Sequence, residues 1–174
     1  TAQPAFLATH GLAAVPFRRI EGQIDVAPLL AEIDAKPALW DAETGRQRRV
    51  RVQRETASIP LRRAARLRPE GVAAEDWDPS EQTELASELP LTLAWMEDAA
   101  RRLGGTLGRA MVVALNPHGR VHRHVDHGAY YRDRDRYHLV LRSAGGSRAI
   151  SDEQVATMRE GELWWLDNKR PHEA

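Results

Sequence analysis

Cysteine is absent from the 174 residues, which excludes disulfides, thiolate catalysis and thiolate-bound zinc or iron–sulfur centres. Any metal must then sit on His, Asp or Glu, and seven histidines are available. An excess of one charge is lacking too, because 25 basic side chains balance 25 acidic ones. That balance removes a whole-chain basic field and argues against nucleic acid as a partner. No apolar run approaches the roughly 20 residues that a membrane-spanning helix needs. The start, Thr1-Ala2-Gln3-Pro4, lacks a basic stretch leading into an apolar one. These absences together predict a soluble, cytoplasmic protein with no membrane partner.

What is present suits a folded globular chain: 42% of residues are hydrophobic and 29% charged, in a length that can bury one sizeable core. Residues 1–24 read as irregular, punctuated by Pro4, Gly11, Pro16 and Gly22, with a short edge strand over 15–20. His10 reads as a surface or loop residue. Residues 25–35 read as a helix capped by Asp25, with Val26, Leu29, Leu30 and Ile33 on one face. Residues 40–44 read as a loop. The basic run 46–54 sets Val50 and Val52 among Arg49, Arg51 and Gln53, a pattern for a half-exposed strand. Its arginines suit a solvated face, or a grip on an acidic substrate. Residues 58–62 suit a second strand, placed at an edge because Pro60 has no N–H for a ladder.

Trp77 reads as a packing anchor for its loop, and 81–89 as a loop or short helix. Residues 90–103 form the strongest helical pattern, with Leu93, Met96, Ala100 and Leu103 on one side and Gly104-Gly105 after it. Strand-like segments follow at 109–115, 120–126, 136–142, 148–150, 155–159 and 162–167. Turns at 116–119, 145–146 and 160–161 and a charged loop at 127–135 separate them. Strands in this number after a helical first part predict a mainly β protein, a two-sheet jelly roll with helices packed on one side.

On a strand over 120–126, His124 and Asp126 project from the same face, because side chains alternate with period two. His172, far along the chain, could return on a neighbouring strand. Two imidazoles and a carboxylate form the facial triad that holds a non-haem Fe(II) and leaves coordination positions open. Other readings stand beside it. His124 and Asp126 could be a surface pair, or His122 and His124 could hold zinc with Asp126 or His172, since His122 shares their face. His118 and His127 read as loop residues lining the mouth. Trp164 and Trp165 are adjacent and so face opposite sides of one strand.

Several segments carry a resemblance. They are 115–119 (Leu-Asn-Pro-His-Gly), His124-Val125-Asp126, 136–141 (Arg-Tyr-His-Leu-Val-Leu), 161–168 (Gly-Glu-Leu-Trp-Trp-Leu-Asp-Asn) and His172. In this order they resemble the aspartyl/asparaginyl β-hydroxylases, a family of Fe(II)/2-oxoglutarate-dependent oxygenases. The match covers roughly 109–174, and 1–108 resembles the family loosely, chiefly at 58–62. The resemblance implies a cupin-like double-stranded β-helix (109–174) behind an N-terminal extension of helices and strands (1–108), together one oxygenase domain over 1–174. It implies His124, Asp126 and His172 as iron ligands, with Arg136 and His138 as an Arg-x-His clamp for 2-oxoglutarate. An arginine fork suits a carboxylate, which agrees with that role. The family also carries an arginine on a strand after the distal histidine. The sequence ends two residues after His172, so a further C-terminal strand is expected, the other readings being that another arginine takes over or that cosubstrate binding is impaired.

The implied activity is a dioxygenase that uses Fe(II), 2-oxoglutarate and O2 to hydroxylate an amino-acid side chain, free or within a peptide or protein. A ligating Asp126 argues for hydroxylation, because related halogenases leave that position vacant for halide. Arg120, His122, Tyr130 and Tyr131 are expected near the mouth as substrate contacts. Two alternatives share the barrel: a cupin-like enzyme that uses another metal without 2-oxoglutarate, and a non-catalytic binding module.

Overall fold

The computed structural model describes residues 15–45 and 50–174. The readings given above for His10 and for the arginines at 46, 48 and 49 fall outside them. In chain order the elements are β1 (Phe17–Glu21), α1 (Ala27–Asp34), α2 (Leu39–Ala42), β2 (Thr56–Ala64), β3 (Ser80–Gln82), α3 (Pro90–Arg102) and β4 (Ala110–Leu115). Then follow α4 (Ala129–Arg132), β5 (Arg136–Leu139), β6 (Ala149–Ser151), β7 (Gln154–Ala156), β8 (Leu163–Leu166) and β9 (His172–Glu173). The strands make three antiparallel three-stranded sheets, in the orders β1-β8-β5, β3-β2-β4 and β7-β6-β9. Among the described residues these sheets do not close into a barrel. The predicted jelly roll is thus met only at the level of a mixed, antiparallel β protein with few helices. No helix among the described residues is long and apolar enough to cross a membrane.

The core forms where one face of the β3-β2-β4 sheet meets α1 and α3. Ile59 and Leu61 from β2, Val112 from β4, Ile33 from α1 and Leu93 from α3 pack together with Ala86 and Leu89. Ile59 and Leu61 are wholly inaccessible, each worth roughly 1.5–3 kcal/mol of burial. Trp40, expected in a loop, lies on α2 and packs against this cluster. Pro90 stands in the first turn of α3 as its sequence suggests, whereas α1 has Val26 at its N-cap and not Asp25, which lies just before it and accepts from the Ala27 N–H. The cap of α3 comes from elsewhere in the chain. Glu32 of α1 accepts from the backbone N–H groups of Leu91 and Thr92 and from the Thr92 hydroxyl, so one carboxylate both satisfies free N–H groups and faces the positive helix end.

Three strand expectations need correction. Within the described part of the alternating run, Arg51–Gln53 is a 3-10 turn rather than a strand, with Gln53 buried and its carbonyl accepting from the Thr56 hydroxyl. Pro60 does not mark an edge either, because β2 is the central strand of its sheet. Its missing N–H is tolerated because the ladder is irregular between Pro60 and Arg62, and β3 pairs with β2 only from Arg62 onward. Past that point the Thr83 hydroxyl and N–H satisfy the carbonyls of Pro60 and Leu61. The third correction concerns 120–126, which is an irregular segment that carries one isolated β-bridge, His124 to His172, in place of a regular strand.

Candidate metal centre

After β4 the chain turns at 116–119, where the Gly119 N–H donates to the Asn116 carbonyl and His118 takes a positive φ of 60°. Pro before a residue of positive φ is the arrangement of a type II turn. The chain then runs antiparallel to 168–174. Val121 and Ala174 exchange both backbone hydrogen bonds (2.8 and 3.1 Å), as do His124 and His172 (3.0 and 2.8 Å), and the Asp126 N–H reaches the Asn168 carbonyl at 3.3 Å. These bonds, not a regular pleat, fix where His124, Asp126 and His172 lie.

The three side chains converge, with one ligand-type atom from each inside a 4.8 Å cluster. The rings of His124 and His172 have centroids 4.4 Å apart, and His124 Nε2 lies 3.8 Å from Asp126 Oδ1. Both imidazoles are oriented by the chain next to them. His124 Nδ1 is 2.8 Å from the His122 carbonyl, and His172 Nδ1 is 2.9 Å from the Arg170 carbonyl. A carbonyl oxygen only accepts, so the neutral ring carries its proton on Nδ1 and turns an Nε2 lone pair toward the cluster. His172 Nε2 is buried with no hydrogen-bond partner. A buried unpaired acceptor costs free energy that a bound cation would recover. The donor set therefore fits a metal: two neutral nitrogens and a carboxylate oxygen. Cis donors at about 2.1 Å from an ion stand roughly 3 Å apart, so the three donor atoms, which lie within 4.8 Å of one another, draw closer on binding.

Electrostatics favour the same state. Burial pushes the His172 imidazole below its usual range; the Arg170 carbonyl opposes that shift and nearby His124 adds to it. Asp126, whose side chain is 11% exposed, has the Arg136 guanidinium 2.7 Å from Oδ2. The angle misses that of a regular hydrogen bond, so this is a close ion pair. Arg136 opens β5 opposite Leu166, and His138 sits two residues along, opposite Trp164. Their spacing of two puts both on one sheet face. Surrounding protein, then the Arg136 charge and His172, push the His138 imidazole down. Much of that residue still meets solvent, which works against the burial effect. The outcome is a neutral ring at neutral pH.

The expected substrate contacts divide. His122 is exposed, with Nε2 3.8 Å from Glu55 Oε1, and it serves the cluster through its carbonyl. Arg120 is exposed, and its N–H donates to Glu55 Oε2. Tyr130 is not at an open mouth: it is 6% exposed, its hydroxyl accepts from the Arg109 N–H, and the Arg109 guanidinium stacks 3.7 Å from its ring centre. Tyr131 is half-buried, edge-on to Tyr130, with the Arg136 guanidinium 5.9 Å from its ring centre. Trp77 is half-buried, and its backbone carbonyl takes a hydrogen bond from Arg109.

Sequence reasoning missed Glu55, which also accepts from the Asn116 N–H through its carbonyl and so ties the turn to the start of β2. Nothing in a basic run marks such a carboxylate. It also missed Asn168, which is buried and gives its carbonyl to Asp126. An Asn just past an apolar strand was the available signal.

An antiparallel β protein that gathers two imidazoles and a carboxylate at one point has the make-up of a mononuclear metal site. The chain belongs to the aspartyl/asparaginyl β-hydroxylase family, whose model matches residues 63–174, well over half of the sequence. That is a hydroxylase family, which supports an enzyme. Comparison with the curated proteins gives no match.

Proposed function

We propose that this chain is an Fe(II)- and 2-oxoglutarate-dependent dioxygenase that hydroxylates an amino-acid side chain, in a peptide or protein or as a free amino acid. The observation that carries the reading is the convergence of His124, Asp126 and His172, with both Nδ1 atoms engaged by backbone and the Nε2 of His172 unpartnered. We read the three sheets as an open form of the double-stranded β-helix, and the chain as one oxygenase domain.

His124, Asp126 and His172 would hold the iron, which when bound supplies the oxidising chemistry with 2-oxoglutarate and O2 as cosubstrates. The residues of the chain do the positioning. The carbonyls of His122 and Arg170 hold the imidazoles in one tautomer. Arg136 and His138 face the site from β5, where a guanidinium fork and a neutral imidazole suit a dicarboxylate. Arg120, His122 and Tyr131 are the residues we place nearest the substrate, and no side-chain general base is needed. Tyr130 is a packing residue in this reading.

The test is turnover. Protein loaded with Fe(II) and supplied with 2-oxoglutarate, O2 and pooled peptides and amino acids should release succinate and add one oxygen to a substrate. The His124→Ala variant should do neither. Turnover supported by another metal without 2-oxoglutarate would favour the cupin-like alternative instead. Metal-loaded wild type that is inert in both assays would favour a binding module.

A further inference from the structure

We propose that Arg136 is a positioning residue for Asp126: its guanidinium holds Oδ2 and so confines Asp126 to binding a metal through Oδ1 alone. This inference rests on the metal-centre reading above and goes beyond it, because it gives Arg136 a task on a ligand as well as on a cosubstrate.

The two oxygens of Asp126 have different surroundings. Oδ1 is the one 3.8 Å from His124 Nε2. Oδ2 is shut off from solvent, lacks a regular hydrogen bond, and has an Arg136 terminal nitrogen 2.7 Å away. A carboxylate that is only 11% exposed needs a countercharge, and Arg136 is the cation paired with it among the described residues. The backbone that carries the guanidinium is fixed. Arg136 is locked to Leu166 of β8 by strand pairing, and the Tyr131 ring flanks it. A carboxylate free to rotate can offer both oxygens to an ion and take up two coordination positions. Held at Oδ2 it offers one, and the position saved stays open to other ligands.

Lysine would supply the charge as a point on a flexible stem, without the planar guanidinium, and would hold Oδ2 less firmly. A guanidinium carries five N–H donors, and Asp126 engages one terminal nitrogen, which leaves donors for a cosubstrate carboxylate. The ligand carboxylate and the cosubstrate would thus share one cation.

The test uses the full chain and Co(II) as the probe, in wild type, Arg136→Gln, Arg136→Lys, Asp126→Ala, His124→Ala and the Arg136→Gln/Asp126→Ala double variant. Affinity is read from the cobalt absorption bands. Carboxylate ligation is read from infrared difference spectra, where the splitting between the two carboxylate stretches is wide for one-oxygen and narrow for two-oxygen binding. Arg136→Gln should weaken Co(II) binding about 10- to 100-fold, the usual cost of losing a supporting residue. It should also narrow the carboxylate splitting. Arg136→Lys should recover part of the affinity while the splitting stays narrow. The double variant should bind no more weakly than Asp126→Ala alone, because Arg136 acts through Asp126.

Unchanged affinity and splitting in Arg136→Gln, with His124→Ala still abolishing binding, would overturn the proposal and leave the metal centre standing. Equal Co(II) binding by wild type and His124→Ala would instead overturn the metal-centre reading, and this inference with it. Unfolding melts of each apoprotein accompany the titrations. A variant that is unfolded in them is set aside, and Arg136→Lys then decides the outcome through its infrared splitting.

Discussion

His124 and His172 are joined through their backbones, each N–H donating to the other's carbonyl at 3.0 and 2.8 Å, while their rings stand 4.4 Å apart and tilted by 53°. The bridge that aligns the two imidazoles does not use the side chains. Removing one imidazole should therefore leave the bridge in place. His172→Ala should keep the circular dichroism spectrum of the wild type and lose more metal affinity than the roughly 10- to 100-fold typical of a supporting residue. Calorimetric titration with a divalent metal, beside a far-ultraviolet spectrum, checks both halves.

The lowered pKa of His172 sets a direction for stability against pH. In the unfolded chain the imidazole titrates near 6.5, and in the folded apoprotein burial holds it lower. As pH falls below about 6.5 the unfolded state takes the proton first, so stability drops until pH passes the folded value. His138 is shifted the same way and adds to the loss. Urea melts of the apoprotein at pH 7.5, 6 and 5 should show declining stability, with a shallower decline in His172→Gln. Metal affinity should fall over the same range, because protons compete for the ligands.

Gly128 precedes α4 at φ 106°, and a side-chain carbon there would run into the Glu75 carbonyl. The close approach lets Asp76 accept from the Ala129 N–H at 2.8 Å, which docks the 74–76 turn beside the Tyr130–Arg109 stack. Gly128→Ala combines left-handed strain with overpacking against backbone and should cost roughly 2–4 kcal/mol. Thermal unfolding of the purified variant measures it.

Much of the site was legible because its chemistry is local. A His-x-Asp pair and a later His are visible as letters, and opposing backbone bonds bring them together. The reason expected for their meeting was a regular strand, but 120–126 stays irregular and is held in place by backbone bonds to 168–174, a long-range contact that no local pattern announces. The same limit explains Pro60. A proline argues for an edge when only its missing N–H is considered, but the irregularity beside it and the short reach of β3 let it sit in a central strand. Val50 and Val52 alternate like a strand, yet the Thr56 hydroxyl holds the Gln53 carbonyl in a tight turn. Tyr130 looked like a mouth residue because it stands in a charged loop; Arg109 covers it from β4's side of the fold, and no local pattern announces that. The two longer helices were read closely, since Pro90 and apolar spacing act within a few residues, whereas α2 and α4 fell in segments read as loops.

The central claim is that His124, Asp126 and His172 hold an iron to which 2-oxoglutarate binds. An anaerobic titration of the full chain with Fe(II) and 2-oxoglutarate, on wild type and His124→Ala, tests it most directly. Wild type should show a weak visible charge-transfer band that needs both additions and is missing from His124→Ala. Iron-loaded wild type that shows no band with saturating 2-oxoglutarate would contradict it.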